Sequence, residues 1–268
     1  MDQAQTPAAP RVLATTASLL LSPLDWIVGA FADAGFSGLE LLTTHDAPTR
    51  DAARVDRLTR RAGLEVLAVH GPYMLLLRNV FGSGYQEKTR RSLELAAELG
   101  AQTMVAHAPF RWERKARGWL AEVDDEAAEL GPRFAMENLY PVGGRAFSSV
   151  VTPDELIPFR HVVFDTSHFG VAGVDLLEAW EALADRVVHL HVSDNLGEGK
   201  DSHAPIGAGI LPLEAFLGRV GASGFGGTVT LELDCRPYLE SRETLVAFLS
   251  SQREQAERLL VGDVEPAT

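Results

Sequence analysis

The chain has 268 residues, 46% of them hydrophobic and 23% charged, which suits one large domain with a sizeable core. Its formal net charge of −13 disfavours a general binder of polyanions, and no apolar run approaches the ~20 residues of a membrane-spanning helix. The single cysteine, Cys235, excludes an intrachain disulfide and points to a reducing cytoplasm.

In chain order, Met1–Pro10 is Pro/Ala-rich and carries no basic stretch, so it reads as an extended or disordered segment rather than a secretory signal. A first strand is expected over Val12–Leu20, followed by Gly38–Leu42 and Glu65–His70. The next segment, Tyr85–Leu99, carries a helical stripe of Leu93, Ala96, Ala97 and Leu99 and ends at Gly100, a helix-stopping residue. Strands are then expected at Thr103–His107, Arg133–Asn138 and His161–Asp165, and a helix at Leu176–Ala184. A strand at Val187–Val192, a helix at Leu213–Val220 and a strand at Thr228–Leu233 follow. Most of these strands are rich in Val, Leu and Ala, as strands buried on both faces are. Eight strand–helix units, with no phosphate-binding glycine fingerprint after an early strand, predict an α/β fold: a single (β/α)8 barrel over residues 11–261, with 262–268 as a tail.

In such a barrel the chemistry sits where the strands end. The predicted strand ends carry His70, His107, Glu137, Asp165 with His168, His191, and Glu232, and the loop after the seventh strand carries Asp201 and His203. Strands that merely meet water would end in Lys, Arg, Ser and Thr as often, whereas these nine positions are all His, Asp or Glu. Imidazole and carboxylate without thiolate suit a divalent ion of the zinc or manganese kind. His189 lies two residues before His191 and points inward one layer deeper, as a core or supporting residue. Glu40 and His45 are set aside as supporting or substrate groups, and His161, at the start of its strand, is expected at the opposite end of the barrel.

These residues resemble a known superfamily, the xylose isomerase-like barrels, which include endonuclease IV and many sugar isomerases and epimerases. The segment from Phe164 to Gly173, with Asp165-Thr166-Ser167-His168, is similar to the Asp-Thr-x-His segment of endonuclease IV. Asp201-Ser202-His203 followed by Gly207 and Gly209 is similar to the Asp-x-His-x-x-x-Gly-x-Gly loop of that enzyme and of many sugar-isomerase-like proteins. The resemblance implies that His70, His107, Glu137, Asp165, His168, His191, Asp201, His203 and Glu232 hold a cluster of two or three ions, three zinc ions in endonuclease IV itself. It implies for the epimerases a smaller set, Glu137, Asp165, His191 and Glu232, around one ion. The chain departs at Ser202, an Arg in endonuclease IV, and in the segment 74–84, short and with only Arg78 as a cation. Arg111, Arg114, Lys115 and Arg117 could meet a phosphate but read first as the solvated start of a helix.

Two chemistries follow. One is metal-assisted hydrolysis of a phosphoester, with Glu137 or Glu232 also orienting the attacking water; the five additional ligands favour it, since buried polar groups without a partner are costly. Its substrate is a small-molecule or nucleotide-like phosphoester, with abasic DNA an alternative. The other is isomerisation or epimerisation of a sugar or sugar phosphate, with Glu137 and Glu232 passing a proton on opposite faces. Phe110, Trp112, Tyr140 and Phe169 would then wall a sugar pocket. A non-catalytic binding role is the third class.

Overall fold

A computed structural model of the chain describes residues 10–262 except 74–76 and 78. The N-terminal extension and the tail expected from the sequence therefore lie, but for residues 10 and 262, outside the described residues, as does Arg78.

Eight parallel strands close into a barrel in sequence order: β1 Arg11–Thr15, β2 Gly38–Leu42, β3 Glu65–His70, β4 Thr103–His107, β5 Arg133–Glu137, β6 Val162–Asp165, β7 Val187–Val192 and β8 Thr228–Leu231. Closure is made by β1 pairing with β8 from Arg11↔Thr228 to Ala14↔Leu231. Alternation along each strand then sends side chains to two places. Met104, Phe134, Met136, Val162 and Phe164 face outward into one large core beneath the helices. Val105, Ala135 and Val163 form a small separate cluster inside the barrel. The residues two further along those three strands are His107, Glu137 and Asp165, which are thereby lifted to the C-terminal mouth.

The predicted strands at 38–42, 65–70, 103–107 and 187–192 and the helix at 85–99 have the observed bounds, and Gly100 ends that helix in the left-handed region (φ 69°). Three strands stop earlier than the sequence suggests, and the sixth starts one residue later, at Val162. The first stops at Thr15, whose hydroxyl accepts from Ala17 N–H and starts a 3-10 turn over Thr16–Leu19; Thr16 Oγ1 in turn takes the Leu42 N–H (2.8 Å). The fifth stops at Glu137, because the Asn138 side chain leaves the ladder and clips the backbone of Asp165 from both sides (3.0 and 2.8 Å). The last stops at Leu231, and Leu233 N–H turns to Ser18 Oγ (3.0 Å). His161 lies just before β6, at the N-terminal end of the barrel.

Candidate metal centre

The nine residues singled out from the sequence surround one mouth of the barrel in an unbroken set of contacts. Glu137 is its hub. Its Oε2 lies 3.2 Å from His70 Nε2 and 2.9 Å from His107 Nε2, and its Oε1 lies 2.9 Å from His191 Nδ1. His191 Nδ1 is also 3.2 Å from Glu232 Oε2 and 3.7 Å from Asp165 Oδ2. Beside this group Asp201 Oδ2 stands 3.2 Å from His168 Nε2 and 2.8 Å from His203 Nε2. His168 Nδ1, 3.6 Å from both Glu137 Oε1 and Asp165 Oδ2, joins the two halves.

The imidazoles are aimed. A carbonyl oxygen can only accept, so His70 donates through Nδ1 to Gly71 O (2.7 Å) and His168 through Nδ1 to Asn138 O (2.8 Å). His191 likewise donates through Nε2 to Glu40 Oε2 (2.9 Å). Each ring therefore turns its other nitrogen towards carboxylates, the arrangement in which an outer acceptor orients a metal ligand. A neutral ring offers that carboxylate only a lone pair, so a cation must lie between them: a proton, or a metal ion. Asp165 Oδ2 is buried with no hydrogen-bond partner, and Glu137, Asp165, His191 and Glu232 each bring one ligand atom within 4.8 Å of the others. The donor set fits divalent metal held by imidazole and carboxylate.

The electrostatics follow from this crowding. Burial by itself would raise Glu137, but His191 and His107 hold it well below the ordinary carboxylate range. Burial raises Asp165 despite the imidazoles around it. Burial opposes charge on His191 and His168, yet the carboxylates facing them hold both well above the ordinary imidazole value. His203 is pushed up to about 9 against the effect of burial, by its hydrogen bond to Asp201 and the charge of Glu232. Its contribution to the stability of metal-free protein is complete below the unfolded value of 6.5 and disappears as pH rises through about 9. Melting temperatures of metal-stripped protein should thus fall across that interval. Added zinc should reverse the fall, because metal takes the place of the protons.

The loop that carries Asp201 and His203 is built on Asp194, a fully buried carboxylate. Its oxygens accept the N–H groups of Asn195 (2.8 Å), Gly207 (3.1 Å), Gly209 (3.0 Å) and Leu211 (3.0 Å). A Cβ on Gly209 would stand 2.3 Å from Asn195 O and 2.4 Å from Asp194 Oδ1, so this glycine is required by close approach. Ser202 Oγ accepts from Leu196 N–H (3.0 Å), closing the loop on itself. His203 has a left-handed backbone (φ 44°), strain that the loop and the bond from Asp234 N–H to its carbonyl (2.7 Å) sustain. Gly209→Ala is expected to destabilise the fold by about 1–3 kcal/mol and to loosen Asp201 and His203, measurable as an earlier urea midpoint and lower metal retention.

A cavity of about 320 Å³ opens over the centre, lined by Tyr73, His107, Glu137, His168, Asp201, His203 and Glu232 on one side. The other side is mainly apolar, with Ala108, Phe110, Leu139, Val142 and Phe147, and no Lys or Arg lines it among the described residues. Tyr73, which the sequence reading did not single out, donates its hydroxyl to Glu232 Oε1 (3.1 Å) and stacks on His107 (ring centroids 5.2 Å apart). Of the four aromatic residues expected to wall a pocket, Phe110 and Tyr140 do so. Phe169 does not: it is fully buried against Phe164 in the outer core, since it sits on the face of helix Thr166–Ala172 away from the mouth. Trp112 stacks on Phe110 (4.7 Å) but borders a larger open groove of about 760 Å³ on the outer surface, which holds none of the nine residues. Arg111 pairs with Glu155 (2.8 Å), and Arg114 and Lys115 line that outer groove. Of the two residues set aside as supporting or substrate groups, His45 is exposed, whereas Glu40 is fully buried beneath His191.

A family model described as a xylose isomerase-like TIM barrel matches residues 28–255. An uncharacterized protein of Mycobacterium leprae (strain TN) is 31% identical over 226 residues, covering 75% of this chain and 81% of its own. Among solved structures, an AP endonuclease, family 2, from Brucella melitensis superposes with a TM-score of 0.71 at 20% identity, covering 90% of this chain and 98% of that one. An IOLI protein with a binding zinc atom superposes with a TM-score of 0.73 at 16% identity over 92% and 98% of the two chains. With its closed eight-stranded barrel and this match along most of its length, the chain belongs to the xylose isomerase-like TIM-barrel family.

Proposed function

We propose that this protein is a divalent-metal-dependent hydrolase of a small-molecule or nucleotide-like phosphoester. The observation that carries the reading is the sharing of Glu137, one oxygen facing His70 and His107 and the other facing His191. Two ligand sets thus meet at one carboxylate, and His168, Asp201 and His203 make a third beside them. One ion in such sites takes about four ligands, so nine aimed donors suit two or three ions of zinc or manganese. Bound there, the ions would polarise a phosphoryl oxygen and supply hydroxide at neutral pH. Glu232, held by Tyr73 and kept below the ordinary carboxylate range by His191 and His203 against the effect of burial, would accept a proton from the attacking water. Phe110, Leu139 and Phe147 give the cavity an apolar wall. A cavity of this size with a short loop after β3 suits a small molecule better than abasic DNA in a duplex. The buried Cys235, its thiol pushed up to about 12 by burial, is an inert core residue compatible with a reducing cytoplasm. Among the described residues no helix is long and apolar enough to cross a membrane.

A second reading, isomerisation or epimerisation of a sugar, has its own observation: Glu137 and Glu232 both approach the same nitrogen of His191, and the described lining offers no Lys or Arg for a phosphate. Elemental analysis of protein purified without chelator separates the two. Two or three ions per chain with turnover of phosphoesters is the expected result. One ion per chain, with ketose epimerisation and no phosphoester turnover, would replace hydrolysis by the second reading.

A further inference from the structure

We propose that Glu40 is a positioning residue that orients His191 as a metal ligand from below, with His189 as its brace. The inference rests on the metal-centre reading and is independent of whether the reaction is hydrolysis or isomerisation.

Glu40 lies on β2, and β2 is hydrogen-bonded to β1 and β3, so its contact with β7 spans the barrel interior. Its Oε2 sits 2.9 Å from His191 Nε2 and 2.8 Å from His189 Nε2. A carboxylate only accepts, so both rings donate to it through Nε2. For His191 this leaves Nδ1 as the ligand atom, the nitrogen that faces Glu137, Glu232 and Asp165. A ring turned over about its own axis would present carbon to that group, and Glu40 is the acceptor that prevents the turn. His189 is held in its own place by Thr228, whose hydroxyl lies 2.6 Å from Nδ1 and donates to it. Thr228, His189, Glu40 and His191 thus form one buried relay that ends at the centre.

A purely structural account of Glu40 is poor. The carboxyl is fully buried, and Oε1 has no hydrogen-bond partner. An apolar set of similar volume in place of Glu40, His189 and His191 together would be as stabilising or more so. What the carboxylate supplies and an apolar residue cannot is a charged acceptor for the Nε2–H, which also makes Nδ1 a stronger donor.

The test uses full-length protein carrying Glu40→Leu or Glu40→Gln. Zinc affinity is read by competition with a chelator, and cobalt(II) absorption reports the ligand field. Glu40→Leu is expected to lower zinc affinity about 10–100-fold and to shift the cobalt spectrum, and to lower the metal-free melting temperature because two buried Nε2–H donors lose their acceptor. Glu40→Gln, which keeps an acceptor oxygen but not the charge, is expected to lose less. Unchanged affinity and spectrum in both variants would overturn the proposal. The wild-type protein gives a separate reading that needs neither metal nor a folded variant. The imidazole Nε2–H of His191 should appear by nitrogen-15 NMR as a slowly exchanging proton in metal-free protein, and its absence would equally overturn the proposal. Wild-type protein that shows this proton yet binds no zinc would refute the metal centre and leave the orientation standing.

Discussion

Glu137→Gln is expected to lower kcat/KM by at least about 10²–10³-fold and to reduce the metal content by more than one ion per chain. Two ligand groups share this carboxylate, through Oε2 at His70 and His107 and through Oε1 at His191. The amide keeps the shape but replaces one acceptor by an N–H₂ donor and removes the charge that those imidazoles and the ions require. Folding should survive, since the backbone ends of β5 are held by the Asn138 clip and the ladder to β4 rather than by the side chain. Glu232→Gln should also remove turnover but release fewer ions, because the Glu232 carboxylate faces one imidazole, His191, and the Tyr73 hydroxyl, whereas Glu137 faces three imidazoles. Steady-state kinetics beside elemental analysis of both variants checks this. Near-normal turnover in both would sink the site assignment.

His107→Ala is expected to remove one ion and most of the activity, roughly 10²-fold, if the centre is polynuclear. His107 stands at the edge of the set, its side chain 16% exposed, and among the described residues its carboxylate contact is Glu137 Oε2 (2.9 Å). Burial lowers its pKa in spite of Glu137, which favours the neutral form that a metal needs. Its loss leaves Glu137, Asp165, His191 and Glu232 in place around Nδ1 of His191, and a one-ion enzyme built on those four would be only mildly impaired. Unchanged ion count and near-normal kcat/KM would therefore move the reading to the single-ion isomerase, and a lost ion with lost turnover would support the cluster.

Much of the barrel was legible because its signals are local. Strands β2, β3, β4 and β7 are short apolar runs bounded by turn residues, and the residues that end them follow from where each run stops. The first strand was read too long because Thr16, Ala17, Ser18 and Leu19 carry strand-like composition; what stops it is a hydroxyl cap and a bond to a β2 backbone N–H, neither visible in composition. Phe169 was misplaced for a similar reason. Its position after a strand says mouth, but a helix begins at Thr166 and rotates residue 169 into the outer core.

The (β/α)8 alternation and the chemical types at the mouth are legible locally, since period-two burial and strand termini are properties of a few consecutive residues. Which nitrogen of each histidine faces which carboxylate, and which buried groups support them, depends on how distant strands meet. Glu40 meets His191 across the barrel, 151 residues away in sequence, and Tyr73 meets Glu232 at 159. Asp194 is read as an anchor only once the backbone of residues 207–211 folds over it. Such contacts depend on closure of the barrel, which fixes distances between strands that no local pattern encodes.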